Sequence, residues 1–196
     1  MKQSIKNNAL LIAIAAMYAA LMVGGKEALA AIPNVEVVTL LVAIAAFTWG
    51  PAVVFFAVNV FIAVDAAIWS INTWVISYFI HFNLVALCFW LLSKARFKKN
   101  AVTVVFATLL AVGLTALFGV LTSAVDTVIG YTGKGFFFDF ENVAYRFAAV
   151  YVAGVWYYLT HVLCNLALFA AAFLPLVLLN KKFSTRVLAK DDQPSE

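Results

Sequence analysis

Four polar residues crowd a short stretch of an otherwise apolar sequence. Lys26, Glu27, Asn34 and Glu36 lie in KEALAAIPNVE, between the run ALLIAIAAMYAALMVGG and a second apolar run from Val37. An ammonium, two carboxylates and a carboxamide can donate to and accept from a polar ligand on several sides. A second group, Asp65, Trp69, Asn72, Trp74 and Tyr78, combines hydrogen-bonding groups with rings, and His81 follows it at close range. A third lies in DTVIGYTGKGFFFDFENVAYR and just after it: Tyr131, Phe138, Asp139, Asn142, Arg146 and Tyr151. This is the chemistry of holding a molecule. The patterns of reaction chemistry are missing: the sequence has no GxxxxGK[ST], HExxH, CxxC or GxSxG, and Gly133-Lys134 lacks the spacing and the Ser or Thr of a phosphate loop. His81 and His161 have no adjacent carboxylate with which to build a metal pair, so no metal or cofactor site is expected. The chain is not expected to be an enzyme, and any ATP-driven role needs another subunit.

The elements that must carry these residues are membrane spans. Of 196 residues, 66% are hydrophobic and 11% charged, and mean hydropathy is +1.03, well outside the soluble globular range. Spans are expected at about 9–24, 37–49, 51–69, 73–93, 101–125 and 147–179, from the length needed to cross a bilayer and the breaks at charged, Pro and Gly positions. The opening MKQSIKNN and its apolar run resemble a signal peptide but show no clean cleavage site, so they read as the first span. The fold class is an all-α integral membrane protein with six transmembrane helices. It forms one membrane domain, 1–196, ending in a polar tail from 181 that is expected to be disordered at its end. Cys88 and Cys164 sit inside apolar runs and read as small buried hydrophobes.

Charge sets the orientation. Lys2, Lys6, Lys94, Arg96, Lys98, Lys99, Lys181, Lys182, Arg186 and Lys190 all fall on one side of a six-span chain, so both termini are expected in the cytoplasm. Glu27, Glu36, Asp65, Asp126, Asp139 and Glu141 fall at the other side. Topology and anionic lipid account for the basic clusters, and no nucleic-acid partner is implied.

Several features have two readings. Ala9, Ala13, Ala16 and Ala20 form one stripe of the first span, with Ala15 and Ala19 on the adjoining one. Such a face packs either within the bundle or against a partner helix. Trp69, Trp74 and Tyr78 are either headgroup anchors or pocket walls. His81 is either a packing residue or a ligand contact. The aromatic segment 126–146 must be covered by the bundle, by lipid or by a ligand, and as a functional element it would be a lid. A small channel, an autonomous transporter or an intramembrane enzyme are the competing classes, and no inverted repeat with broken helices supports the transporter.

The chain resembles the S components of energy-coupling factor (ECF) transporters, small membrane subunits that capture vitamins for an ABC-type energising module. The likeness spans essentially the whole chain. It rests on the chain length, six spans with both ends inside, the alanine-patterned AIAAMYAAL, and the loop phrase IPNVEVVTLLV. It implies that the stripe begun by Ala9, and in particular Ala13, Ala16 and Ala20, contacts a transmembrane coupling subunit served by two ATPase subunits that alone bind ATP. It also implies a pocket near the outer surface, capped by the first, third and fifth loops, and delivery by toppling of the whole subunit in the plasma membrane of a prokaryote. The abundance of rings points to a large ligand, and the IPNVE loop looks most like members handling cobalamin. Carboxamides of a corrinoid would then pair with Asp65, Asn72, Asp139 and Asn142, with cobalt ligation by His81 as a sharper variant. Riboflavin, pantothenate, folate or a thiamine precursor are the alternatives.

Overall fold

The computed structural model describes residues 2–95, 101–132 and 134–191, with side chains for 8–95, 101–132 and 134–187. Of the basic residues used for orientation, Lys2, Lys6, Arg96, Lys98, Lys99 and Lys190 fall outside the described side chains, as does the tail beyond Asp191.

Six helices carry the chain: α1 (Lys2–Leu29), α2 (Val38–Trp49), α3 (Pro51–Trp69), α4 (Thr73–Lys94), α5 (Ala101–Val128) and α6 (Val143–Asp191). Between α5 and α6 lies an antiparallel hairpin of β1 (Ile129–Thr132) and β2 (Gly135–Phe138), in which Tyr131 pairs with Phe136 and Ile129 with Phe138. Five of the helices contain segments long and apolar enough to cross a membrane: Asn8–Leu29, Pro51–Trp69, Thr73–Lys94, Ala101–Val128 and Val143–Val187.

The sixth helix is of another kind. α2 has 12 residues, about 18 Å of rise against a hydrocarbon core of about 30 Å. From Val38 to Ala46 all its side chains but Leu41 are buried. A helix apolar on every face belongs inside a bundle, and α2 packs among α1, α3, α4 and α6. Around it run Met22, Val54, Phe61, Phe89, Phe169 and Phe173, all fully buried. Outward, Ile12, Leu21, Phe56, Phe79, Leu109 and Leu163 are exposed, an apolar surface of the kind that lipid covers.

The boundaries follow local chemistry. Gly50, at φ 83°, makes the turn between α2 and α3, and Pro51 opens α3 at a position where its missing N–H costs nothing. Asn72 caps α4, its Oδ1 accepting from Thr73 N at 2.7 Å. α1, in contrast, does not stop at Gly24-Gly25 as expected. It continues to Leu29, so Lys26 and Glu27 stand on a helix rather than in a loop. Gly25 serves a close approach instead: a Cβ there would lie 2.5 Å from Val37 Cγ2.

The polar tail from 181 begins as helix, because α6 runs on to Asp191; its end, 192–196, lies outside the described residues. KKFSTRVLAK contains no helix breaker, and Ser184 and Thr185 return their hydroxyls to the Lys181 carbonyl at 3.0 and 3.1 Å. Pro175 is accommodated within the helix.

Side-chain contacts align the ends. Lys26 with Asp65, Trp69 with Glu27, and Thr73 with Asp126 tie α1, α3, α4 and α5 together at one end. Trp49 against Phe183 and Lys181 against Phe47 join α2 and α6 at the other.

Candidate functional site

A cavity of about 250 Å³ opens at the first of these ends, roofed by residues 30–37 and walled by all six helices. The roof begins with a tight turn, Ile32–Val35, closed by Val35 N donating to Ile32 O at 3.2 Å. Pro33 holds its second position and Asn34, at φ 59°, its third, the residue signature of a turn that needs a left-handed residue there.

Glu36 fastens the roof. Its Oε1 accepts from His161 Nε2 at 3.0 Å and from Asn165 Nδ2 at 2.9 Å, while Oε2 accepts from Thr39 N at 2.9 Å in the first turn of α2. A carboxylate there satisfies an amide that the helix leaves unpaired and faces the positive end of its dipole. Burial alone would raise the Glu36 pKa. The hydrogen bond and charge of His161, with the bonds from Thr39 and Asn165, outweigh it and hold the group at about 2, against an ordinary 4.5. Cys164 adds a weak thiol contact to the Glu36 carbonyl at 3.5 Å. Residues 161 and 165 stand one helical turn apart on α6, so one face of that helix supplies both donors.

The side wall is an ion pair within aromatic rings. Lys26 Nζ lies 2.6 and 2.5 Å from the two oxygens of Asp65, whose side chain is wholly buried. The same ammonium sits 5.2 Å from the centres of the Trp74 and Tyr78 rings and 6.0 Å from Trp69, near enough for cation–π attraction. Trp69 is itself oriented by its indole N–H, 2.8 Å from Glu27 Oε1. Phe61, Phe82 and Phe118 complete an apolar wall, with Tyr78 stacked on Phe61 and edge-on to Phe82.

At the cavity wall Phe118 stands between the two histidines, with His161 lining the cavity and His81 behind the ring. Phe118 lies 4.6 Å from His81 and 5.5 Å from His161, centre to centre. His81 is buried and its Nε2 meets no partner among the described residues, nor do Ser77 Oγ and Asn165 Oδ1. No cluster of three or more His, Cys, Asp or Glu able to hold a metal occurs among the described residues.

Of the residues expected from sequence, Lys26, Asn34, Glu36, Trp69 and Tyr78 line the cavity. Asp65, Glu27 and Trp74 stand just behind, as partners of Lys26 and Trp69. His81 is a buried packing residue beside Phe82 and Phe118, and Asn72 is a helix cap. Tyr131, Phe138, Asp139, Asn142, Arg146 and Tyr151 are not brought to the cavity. They organise their own segment: Asp139 pairs with Arg146 at 2.5 Å and closes the hairpin through its N–H to Val128 O at 2.9 Å. Asn142 accepts from Arg146 N at the start of α6, Tyr151 stacks on Phe147, and Phe138 stacks on Phe140 in the open. As folded, the hairpin does not act as a lid. The residues missed at the site are His161, Asn165, Phe61, Phe82 and Phe118. A His and an Asn four apart in an apolar helix were the available signal for the first two.

The alanine stripe resolves clearly. Ala9, Ala13, Ala16 and Ala20 are exposed, while Ala15 and Ala19 are buried against the bundle. Beside the stripe, Leu11, Ile12, Ala52 and Phe56 line an apolar groove of about 300 Å³ between α1 and α3.

Comparisons with models of protein families, with curated proteins and with solved structures give no match.

Proposed function

We propose that this chain is the ligand-capturing membrane subunit of an ECF-type importer, with its ligand held beneath residues 30–37. The observation that carries the reading is the cavity itself. It is closed by a short roof, walled by rings, and furnished with one ammonium and one carboxylate that already have partners. Such a mixture, mostly apolar with a few fixed polar groups, is the make-up of a small-molecule site.

Its size bears on which ligand. About 250 Å³ is at the small end of ligand pockets. This favours a compact vitamin such as riboflavin, pantothenate or a thiamine precursor over cobalamin, which would require the 30–37 roof to lift. Cobalt ligation by His81 is disfavoured by the burial of that ring behind Phe118. The basic residues Lys94, Lys181, Lys182 and Arg186 belong to the helix ends remote from the cavity. Read by the positive-inside rule, this distribution supports a cavity at the outer face and both termini in the cytoplasm.

Energy must come from elsewhere, since the sequence has no phosphate loop. The outward alanine stripe is the surface offered to a coupling subunit, and its small side chains let a partner helix come close. Purification of the tagged chain from its own cells is expected to bring down a membrane coupling subunit and two ATPases. Ala16→Trp should abolish that recovery while leaving the chain monodisperse. Vesicle uptake by the chain alone would instead identify an autonomous transporter.

A further inference from the structure

Two carboxamides sit where a membrane protein can least leave them. Asn59 is near the middle of α3 and Asn83 near the middle of α4, so both lie far from either helix end and from the water there. They are on the outer surface of the bundle, away from the cavity. Asn59 Nδ2 donates to Asn83 Oδ1 at 3.1 Å and to Phe55 O at 2.8 Å, and Asn83 Nδ2 donates to Phe79 O at 2.8 Å. Among the described residues that count leaves Asn59 Oδ1 with nothing to accept and one Asn83 N–H with nothing to donate to. Lipid tails supply neither.

The surroundings suit helix contact. Asn59, Ala63 and Ala67 occupy one exposed stripe of α3, each one turn from the next. Small residues on either side of a polar one allow backbones to approach until the polar groups meet.

We infer that the α3–α4 face is a docking surface for a second copy of this chain, related by a twofold axis near Asn59. The unspent groups decide the occupant. One acceptor and one donor on the same face are self-complementary. Under a twofold rotation Asn59 Oδ1 of each copy meets the free N–H of Asn83 of the second copy, so both remaining groups are satisfied at once. A partner helix without a matching donor and acceptor would satisfy at most one. Ala52 and Phe56, on the same face of α3, line the groove beside the α1 alanine stripe, so the test below reads pairing of copies with no other protein present.

The test uses the full chain carrying Cys88→Ala and Cys164→Ala, with one dye on Lys94→Cys, in liposomes at graded protein-to-lipid ratios. Single-molecule photobleaching is expected to show dimers that increase with density. Asn59→Leu or Asn83→Leu should raise the density needed for half-dimerisation at least tenfold. Ala63→Trp should do the same with the asparagines in place, and decides the matter if either leucine variant fails to fold. In the cysteine-free background, Ala63→Cys should form a disulfide between copies. Monomers at every density, dimers indifferent to Ala63→Trp, or dimers in which Ala63→Cys forms no cross-link would each overturn the inference.

Discussion

Glu36 fastens the roof of the cavity to two helices. It joins residues far apart in sequence, caps α2 and holds the cavity roof down. The sign of its pH effect is fixed by its lowered pKa of about 2. The folded state prefers the ionised form, so the stability this group adds is complete above about pH 4.5 and is lost as pH falls toward about 2. Thermal unfolding of the detergent-solubilised chain is therefore expected to show a fall in Tm across that window. Glu36→Gln should remove that component and lower the stability at pH 7 by about 2 kcal/mol, the worth of charge-assisted bonds exchanged for neutral ones. A variant whose acid limb matches the wild type would dissociate the latch from this residue. The role was only partly legible beforehand. Glu36 stood out as a carboxylate in an apolar setting, but its partners lie 125 and 129 residues away, and nothing local announces such a pairing.

At the scale of elements, residues that constrain the backbone were readable and residues that merely permit a break were misleading. Gly50-Pro51 and Asn72 set real boundaries because a positive φ, a missing N–H and a capping carboxamide act directly on helix geometry. Gly24-Gly25 only lowers helix propensity, by about 1 kcal/mol per glycine, and packing of α1 against Val37 outweighs it. The hairpin went unread because its Gly and Phe residues do not alternate with polar ones. Its apolar face, with Tyr131, Phe136 and Phe138, emerges only from the pairing register.

The same distinction applies to α5 against α6. A Cβ on Gly119 would lie 2.7 Å from Tyr158 Cγ, and Tyr158 is held by its hydroxyl 2.8 Å from Ser123 Oγ. The clash falls on the root of a ring that is fixed at its tip. Gly119→Ala should cost about 1–3 kcal/mol through overpacking, against a gain of up to about 1 kcal/mol in helix propensity for Gly113→Ala, where nothing lies within 4 Å. Chemical denaturation of the two variants in mixed micelles measures the contrast, and equal stabilities would refute the close packing of this pair.

The whole molecule is a bundle wrapped around a short buried helix. Composition pointed to a membrane protein, and five helices are long and apolar enough to cross a membrane; the breakers read the ends of α3 and α4 closely, whereas α1 and α6 run past their expected ends at 24 and 179 to Leu29 and Asp191. That α2 is an internal strut rather than a full-length span followed from its 12-residue length and burial on nearly all sides. The cavity assembles from six helices and one loop, a convergence that single-sequence patterns do not encode. For the same reason the second half of the expected site, from Tyr131 to Tyr151, belongs to a separate structure around the hairpin: Asp139 and Arg146 pair with each other.

The central claim is that the space beneath residues 30–37 holds a small molecule. Native mass spectrometry of the chain purified from its own cells measures this directly, with Ala30→Trp, which places an indole in the cavity lining, as its counterpart. The account predicts one non-covalent adduct of vitamin size on the wild type and none on the Ala30→Trp chain. A wild type without any adduct across growth conditions, or an adduct retained equally by Ala30→Trp, would contradict it.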